Sequence, residues 1–270
     1  MSTVERHEVA LPEGTLRFRF SAHTDRGRRR AANEDSYLAS VPVFLVADGM
    51  GGHAFGDRAS QTVVRVFSES FDTDAAATPA RILDSLRLAN DAVIDLTADE
   101  GPGGAISGTT VTGVALVDVE AADGEPGGSR WMAFNVGDSR TYVWDGRELA
   151  QLSVDHSAVQ ELVDLGLITR READRHPDRN IVTRAIGADS DVDADVWLVP
   201  IEGRHTFLLC SDGLTKELSD ARIAELFARR DAGDLHGADV AEELVRAAVD
   251  AGGRDNVTVV VVEAVLVPRA

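Results

Sequence analysis

Val43-Phe44-Leu45-Val46-Ala47-Asp48-Gly49 is an apolar run stopped by Asp-Gly, the pattern of a buried strand that ends in a tight turn. Working outward from it, the alternation in Leu16-Arg17-Phe18-Arg19-Phe20-Ser21-Ala22 reads as a second strand, while residues 1–15 are polar and weakly patterned, a loose lead-in. On the other side, Ala59, Val63, Val66, Phe67 and Phe71 recur at helical spacing. A second helix runs from Pro79 to about Leu96, with Pro79 in its first turn, where a missing N–H costs nothing. Strands resume at Thr109–Val119, Trp131–Val136, Thr141–Trp144, Thr206–Cys210 and Val257–Val267. The second and third of these, joined by Gly137-Asp138-Ser139-Arg140, read as a hairpin. Helical periods return near Ala158–Leu165, Ala221–Phe227 and Ala238–Val249, and a polar, Arg- and Asp-rich stretch from Thr169 to Asp195 predicts an exposed flap. Strands that cluster with few helices between consecutive pairs predict antiparallel sheets with helices packed outside, not a doubly wound parallel sheet.

A chain of 270 residues fits one large domain better than two small ones. The net charge of −19 repels phosphate backbones and anionic lipid, so nucleic acid and membrane surfaces are excluded as partners. One cysteine, Cys210, forms no internal disulfide and suits a reducing cytosol. The N-terminal residues lack a signal-peptide core, and no apolar run approaches the roughly 18 residues of a spanning helix. A soluble cytoplasmic protein is expected.

A local event recurs along the chain: an aspartate stands at a strand end beside glycine or another turn residue. It occurs at Asp48, Asp138, Asp212 and Asp255, the last before its strand, and the pair Glu34-Asp35 follows the first strand region. Each alone is ordinary turn chemistry. Together they can converge on one sheet edge, where carboxylates repel and raise one another's pKa unless a cation sits among them. An all-oxygen set, with no paired His and no second Cys, selects Mg²⁺ or Mn²⁺ over zinc. Two such ions form a centre for in-line displacement at phosphorus, where they lower the pKa of a bridging water. Asp25-Arg26-Gly27-Arg28-Arg29-Arg30 is a basic cluster just before Asp35. It reads either as a solvated turn or as a grip for an anionic substrate, because arginine holds phosphate bidentately. The glycine-rich stretch Gly101–Gly108 lacks the Lys-Ser/Thr ending of a nucleotide loop and reads as a linker or tight turn.

In order, the segments TDRGRRRAANEDS, VADGMGGH, SGTT, NVGDSR, LLCSDGL and GGRDNVTVVVV resemble the metal-dependent protein phosphatase 2C family, its bacterial Ser/Thr branch in particular. The resemblance implies an α+β fold, an α/β/β/α sandwich of two antiparallel sheets flanked by helices, over residues 16–268. It implies that Asp48 bridges two Mn²⁺ or Mg²⁺ ions and that the carbonyl of Gly49 ligates one of them. Asp212 and Asp255 complete the other, while Glu34 and Asp35 support the site through waters. Arg30 contacts phosphate, and Arg30, Asp48 and Asp212 carry the chemistry. Asp138, with Asp212, matches a third-metal position, near which Asn180 falls; Asn256 orders its turn.

The chain departs from some members in placing Met50 where they have histidine. His53 does not inherit the acid role, and His156 reads equally as a packing or a catalytic residue. The implied activity is hydrolysis of phosphoserine and phosphothreonine by metal-activated water. The implied partners are phosphorylated proteins and Ser/Thr kinases reached from solution, and the chain is expected to be a monomer. Alternatives are a catalytically silent phosphoprotein-binding relative and a partner-switching phosphatase acting on an anti-sigma-factor antagonist. The strong negative charge predicts a preference for phosphosites in neutral or basic surroundings.

Overall fold

The computed structural model describes residues 4–51, 55–71, 75–98, 108–121, 127–235 and 239–269. In chain order the first half holds β1 (Glu5–Leu11), β2 (Gly14–Asp25), β3 (Asp35–Ser40), β4 (Val43–Met50), α1 (Gly56–Ser70), α2 (Pro79–Ala98), β5 (Gly108–Thr109), β6 (Val111–Val119) and β7 (Gly128–Val136). The second half holds β8 (Arg140–Trp144), β9 (Leu149–Gln151), α3 (Ala158–Asp164), α4 (Arg170–Ala173), β10 (Asp195–Pro200), β11 (Arg204–Cys210), α5 (Asp212–Thr215), α6 (Asp220–Asp231), α7 (Val240–Ala251) and β12 (Val257–Pro268). One antiparallel sheet runs β1-β2-β12-β11-β8-β9; the other runs β10-β7-β6-β4-β3, with β5 paired to the end of β4.

The parity of the strands decides the layers. On β4, Val43, Leu45 and Ala47 pack with Val63 and Phe67 of α1 and with Ile82 and Leu86 of α2, while Phe44 and Val46 face the opposite sheet. On β12, Val257, Val259 and Val261 pack with Leu226 of α6 and Leu244 of α7, while Val260 and Val262 point inward. Both strands are covered on both faces, which is why their sequences are continuous apolar runs rather than alternations. The inter-sheet layer is aromatic at its centre, where Phe18, Phe20, Phe44, Trp131 and Phe207 form edge-to-face and stacked pairs. Deleting the fully buried Phe44 ring would cost about 3–5 kcal/mol. The result is the expected α/β/β/α sandwich.

Three local expectations need correction. The expected loose lead-in at residues 1–15 is ordered from Glu5 on, because β1 pairs with β2 from Glu5–Phe20 to Leu11–Gly14 and buries Val9 and Leu11. Trp131–Val136 and Thr141–Trp144 form no hairpin. The partners of β7 are β6 and β10, and those of β8 are β11 and β9, so Gly137–Ser139 carries the chain from one sheet to the other. Gly49 does not end its strand in a turn either. It lies within β4, and a Cβ there would sit 2.1 Å from the Gly56 carbonyl oxygen and 2.6 Å from that of Glu34. Glycine is required there by the close approach of three backbone segments, not by turn geometry.

Most of the flap from Thr169 to Asp195 is exposed, as expected, with α4 held by a Thr169–Glu172 capping box. Its anchor is Ile186, fully buried and bonded through its backbone to Thr109. Most of the glycine-rich stretch Gly101–Gly108, and His53, lie outside the described residues.

Candidate active site

The carboxylates gather at one end of the two sheets. Asp48, near the end of β4, stands directly opposite Asp35, the first residue of β3. The Asp48 backbone is fixed by Thr110, whose N–H donates to the Asp48 carbonyl at 2.9 Å and whose Oγ1 accepts from the Asp48 N–H at 3.1 Å. Thr110 Oγ1 also meets Ser139 Oγ at 2.7 Å, which ties this strand end to the crossover bearing Asp138. That crossover is clamped again at Gly137. Its N–H donates to His156 Nδ1 at 3.1 Å, and its carbonyl accepts from the His156 backbone at 2.9 Å and from Asn135 Nδ2 at 2.9 Å.

From the other sheet come Asp212, at the start of α5 directly after β11, and Asp255, just before β12. Gly213 lets these two elements touch, since a Cβ there would meet the Asn256 carbonyl oxygen at 1.8 Å. Ser211 joins the sheets: its hydroxyl donates to Asp35 Oδ2 at 2.8 Å and accepts from the Thr258 N–H at 3.0 Å. Asn256 orders the arginine-bearing loop, not only its own turn. Its Oδ1 accepts from the Glu34 N–H, and its Nδ2 donates to the carbonyls of Arg26 and Ala32, each at 2.9 Å.

These residues line a cleft of about 640 Å³ that includes Arg30, Glu34, Asp48, Gly49, Asp138, Asn180, Asp212, Lys216 and Asp255. Asp35 lies behind the wall, 9% exposed, and is not among the lining residues. Arg30 reaches in from the exposed loop, its guanidinium 2.7 Å from Asp255 Oδ1 and 3.7 Å from Glu34 Oε2. Lys216 forms a salt bridge with Asp212 and a second, at 3.1 Å, with Asp255 Oδ2.

The electrostatics separate the acids. Burial, aided by neighbouring carboxylates, pushes Asp35 and Asp138 up to about 7 and Asp48 well above the usual carboxylate range. Asp212 is raised by burial, which outweighs the pull of Lys216. Burial acts to raise Asp255 too, but Lys216 and Arg30 overcome it and hold its pKa below the ordinary value. The buried Oδ1 atoms of Asp35 and Asp212 have no hydrogen-bond partner. Unbonded carboxylate oxygens at a site where several acids raise one another's pKa fit a hard divalent cation, which takes carboxylate oxygens and offsets their charge. No three groups among the described residues already form a ligand cage. The acids ring the cleft instead, and protein cations hold three of them, Glu34, Asp212 and Asp255.

His156 is 5% exposed, and both ring nitrogens are engaged. Because Nδ1 accepts from Gly137, a neutral ring carries its proton on Nε2, which faces Asp195 Oδ2 at 3.3 Å. The His156 ring and backbone both bond to Gly137, beside Asp138. Cys210 packs in the core, its thiol pushed up to about 12 by burial. Trp131 and Trp144 are core residues, and Trp197 packs against the inter-sheet layer. Sequence reasoning missed Thr110, Ser139, Ser211 and Lys216. The first three are small hydroxyls inside the segments SGTT, NVGDSR and LLCSDGL, where nothing in the sequence shows which partner each one bonds. Lys216 did carry a signal, as the single lysine among 27 Lys and Arg residues.

Fold and cleft together define a four-layer α/β/β/α protein with an acid-lined site at one end of its sheets. The chain belongs to the Protein phosphatase 2C family, which matches residues 24–247. It is 36% identical over 249 residues to the serine/threonine phosphatase stp of Listeria monocytogenes, covering 89% of this chain and 93% of that protein. It is also 36% identical to the serine/threonine protein phosphatase PstP of Mycobacterium tuberculosis over 93% of this chain, which spans 46% of the length of that relative. A solved catalytic domain of PstP in complex with 2 manganese ions superposes with a TM-score of 0.75 at 34% identity, covering 93% of this chain and 99% of that one. No helix among the described residues is long and apolar enough to cross a membrane.

Proposed function

We propose that this chain is a Mn²⁺- or Mg²⁺-dependent protein serine/threonine phosphatase acting on phosphorylated proteins in opposition to Ser/Thr kinases. The observation that carries the reading is the gathering of Asp48, Asp138, Asp212 and Asp255 around one cleft with Arg30 at its mouth. Asp48, Asp212, Asp255 and the Gly49 carbonyl would hold two core ions, with Glu34 and Asp35 in support, and Asp138 with Asp212 would serve a third. When bound, these ions supply Lewis acidity and a water ionised near neutral pH for attack on phosphorus.

The rest is the work of the chain. Arg30, tethered through the Asn256 clamp, presents a planar fork to the phosphoryl oxygens and orients the group for in-line attack. Thr110 and Ser139 hold Asp48 and the Asp138 crossover in a fixed relation, so the acids do not have to reorganise during reaction. Met50 lines the cleft and has no proton to give, and both nitrogens of His156 are occupied. Neither protonates the leaving alkoxide, a role this reading gives to water within the cleft.

The test is hydrolysis of a phosphothreonine peptide by metal-stripped protein, with Mn²⁺, Mg²⁺ and Zn²⁺ added back in turn. Activity is expected with Mn²⁺ or Mg²⁺ and is expected to vanish in Asp212→Asn. If no metal revived turnover on several phosphopeptides, the enzyme reading would fall in favour of a silent phosphoprotein-binding relative.

A further inference from the structure

Lys216 follows the last residue of the four-residue helix α5, and its N–H donates to the Asp212 carbonyl at 2.8 Å. One helical turn therefore brings its side chain back over Asp212, the first residue of the same helix. The contact of Gly213 with the Asn256 backbone sets α5 against the start of β12, which places Asp255 within reach of the same ammonium. Lys216 Nζ thus bridges carboxylates from two elements, each about 15% exposed, with its own side chain 35% exposed.

We infer that Lys216 is a tethered rival of the divalent cation. Its ammonium occupies oxygens of Asp212 and Asp255 that the ion requires, so loading must displace it, and metal affinity is set below what the carboxylates alone would give. The inference rests on the metal-site reading above. Three observations carry it. The bridge joins the two carboxylates assigned to one ion. The opposite side of Asp255 is already held by Arg30, so releasing that carboxylate from Lys216 does not leave it without a cation. And the residue is the only lysine of the chain, every other cationic side chain apart from histidine being arginine.

The choice of lysine has a physical reason. A guanidinium grips a carboxylate bidentately and gives it up reluctantly. An ammonium is a compact point charge on a flexible four-carbon stem and can swing aside toward solvent, to which Lys216 is already open. Displacement leaves a positive charge at the rim of the cleft and removes one from its floor. The strong attraction of Asp212 and Asp255, which outweighs the effect of burial on the Lys216 ammonium, agrees with this picture.

The experiment is titration of metal-stripped protein with Mn²⁺ alone, free Mn²⁺ being followed by electron paramagnetic resonance and total binding by calorimetry. Lys216→Met is expected to bind the first Mn²⁺ at least about tenfold more tightly than the natural chain, since both the rival and a like charge are gone. Lys216→Arg is expected to bind no more tightly than the natural chain. An unchanged or weakened affinity in Lys216→Met would overturn the inference. Asp212→Asn runs alongside as the control for the site itself. If it binds Mn²⁺ like the natural chain, the ligand assignment fails; if it loses binding while Lys216→Met is unchanged, only the role of Lys216 fails.

Should Lys216→Met not fold without metal, the natural chain supplies a second readout, because a single lysine makes acylation followed by peptide mass spectrometry unambiguous. Saturating Mg²⁺ is expected to speed acylation of Lys216 several-fold as the ammonium leaves its carboxylates. An unchanged rate would overturn the inference as well.

Discussion

The two banks of the cleft hold the same residue type in different electrostatic settings, and only Asp255 has its pKa lowered. On the bank built by β3, β4 and the crossover after β7, Asp35 is buried and Asp48 and Asp138 half-buried, and all three have pKa values raised above the ordinary carboxylate range. On the bank built by α5 and the start of β12, Asp255 is held ionised by Lys216 and Arg30, with Asp212 sharing the lysine. What separates them is whether a cation touches the carboxylate: Lys216 pairs with Asp212 and Asp255 and Arg30 with Asp255, whereas among the described residues no salt bridge reaches Asp35, Asp48 or Asp138. The first bank is poised for charge that must come from outside; the second already carries a provisional counter-ion that can be exchanged.

The largest effect tests that difference directly. Asp48→Asn and Asp255→Asn are each expected to lower phosphopeptide turnover in Mn²⁺ at least about a thousandfold. In the metal-free protein they should part company. Asp48→Asn removes a carboxyl whose ionisation burial and its neighbours oppose and is expected to raise Tm by several degrees, while Asp255→Asn takes a carboxylate from both Arg30 and Lys216 and is expected to lower it. Metal-free Tm shifts of the same sign would break the comparison.

Much of the first bank was legible in the sequence, and so was half of the second. Asp48, Asp138, Asp212 and Asp255 announce themselves because strand-end aspartates beside small residues are a local pattern, and the continuous apolar runs of β4 and β12 reveal strands covered on both faces. Lys216 was not legible as a partner of Asp255, because that proximity depends on Gly213 touching the Asn256 backbone, a contact between elements far apart in sequence. The hairpin expected around Gly137 failed for a related reason. A strand, a Gly-Asp turn and another strand look alike whether the chain folds back or crosses to the facing sheet; only the partners β6, β10, β11 and β9 decide. The strand β1 was missed because Val9 and Leu11 are too few to establish an alternation, and its order comes from β2 alongside it.

A smaller effect concerns the substrate and sets the cleft against the whole surface. Arg28, Arg29 and Arg30 give the mouth a local positive charge, but Arg28 already pairs with Asp250 at 2.7 Å and Arg30 with Asp255. The net charge of −19 then governs approach at distances beyond the rim. Adding acidic residues on both sides of a phosphothreonine is expected to lower kcat/KM by about two orders of magnitude at low salt, and by less at physiological ionic strength, where screening acts over about 8 Å. Equal rates for acidic and neutral flanks at low salt would mean that the arginine rim, not the body, decides.

The smallest effect is in the pH dependence of the metal-free protein, and its sign follows from the first bank. Asp35 and Asp138 titrate near 7 in the folded chain against an ordinary value of 3.8, and Asp48 and Asp212 are raised as well. Between about pH 4 and 7 the folded protein therefore binds more protons than the unfolded chain, so the stability these groups contribute is full below that window and is lost as pH rises through it. Asp255, with its lowered pKa, acts in the opposite sense, but only at and below the ordinary carboxylate value. His156 and His205, both lowered chiefly by burial, add stability as pH rises toward their unfolded value of 6.5, two groups against four. The net expectation is a metal-free Tm about 5 °C lower at pH 7.5 than at pH 5. Asp48→Asn should flatten that slope, because it removes one of the four raised groups, whereas Asp255→Asn, which only relieves repulsion on Asp35, Asp48 and Asp212, should flatten it less. A metal-free Tm that is level or rises across the window would mean that the first bank is not held protonated by burial, and that the contrast between the two banks does not exist in solution.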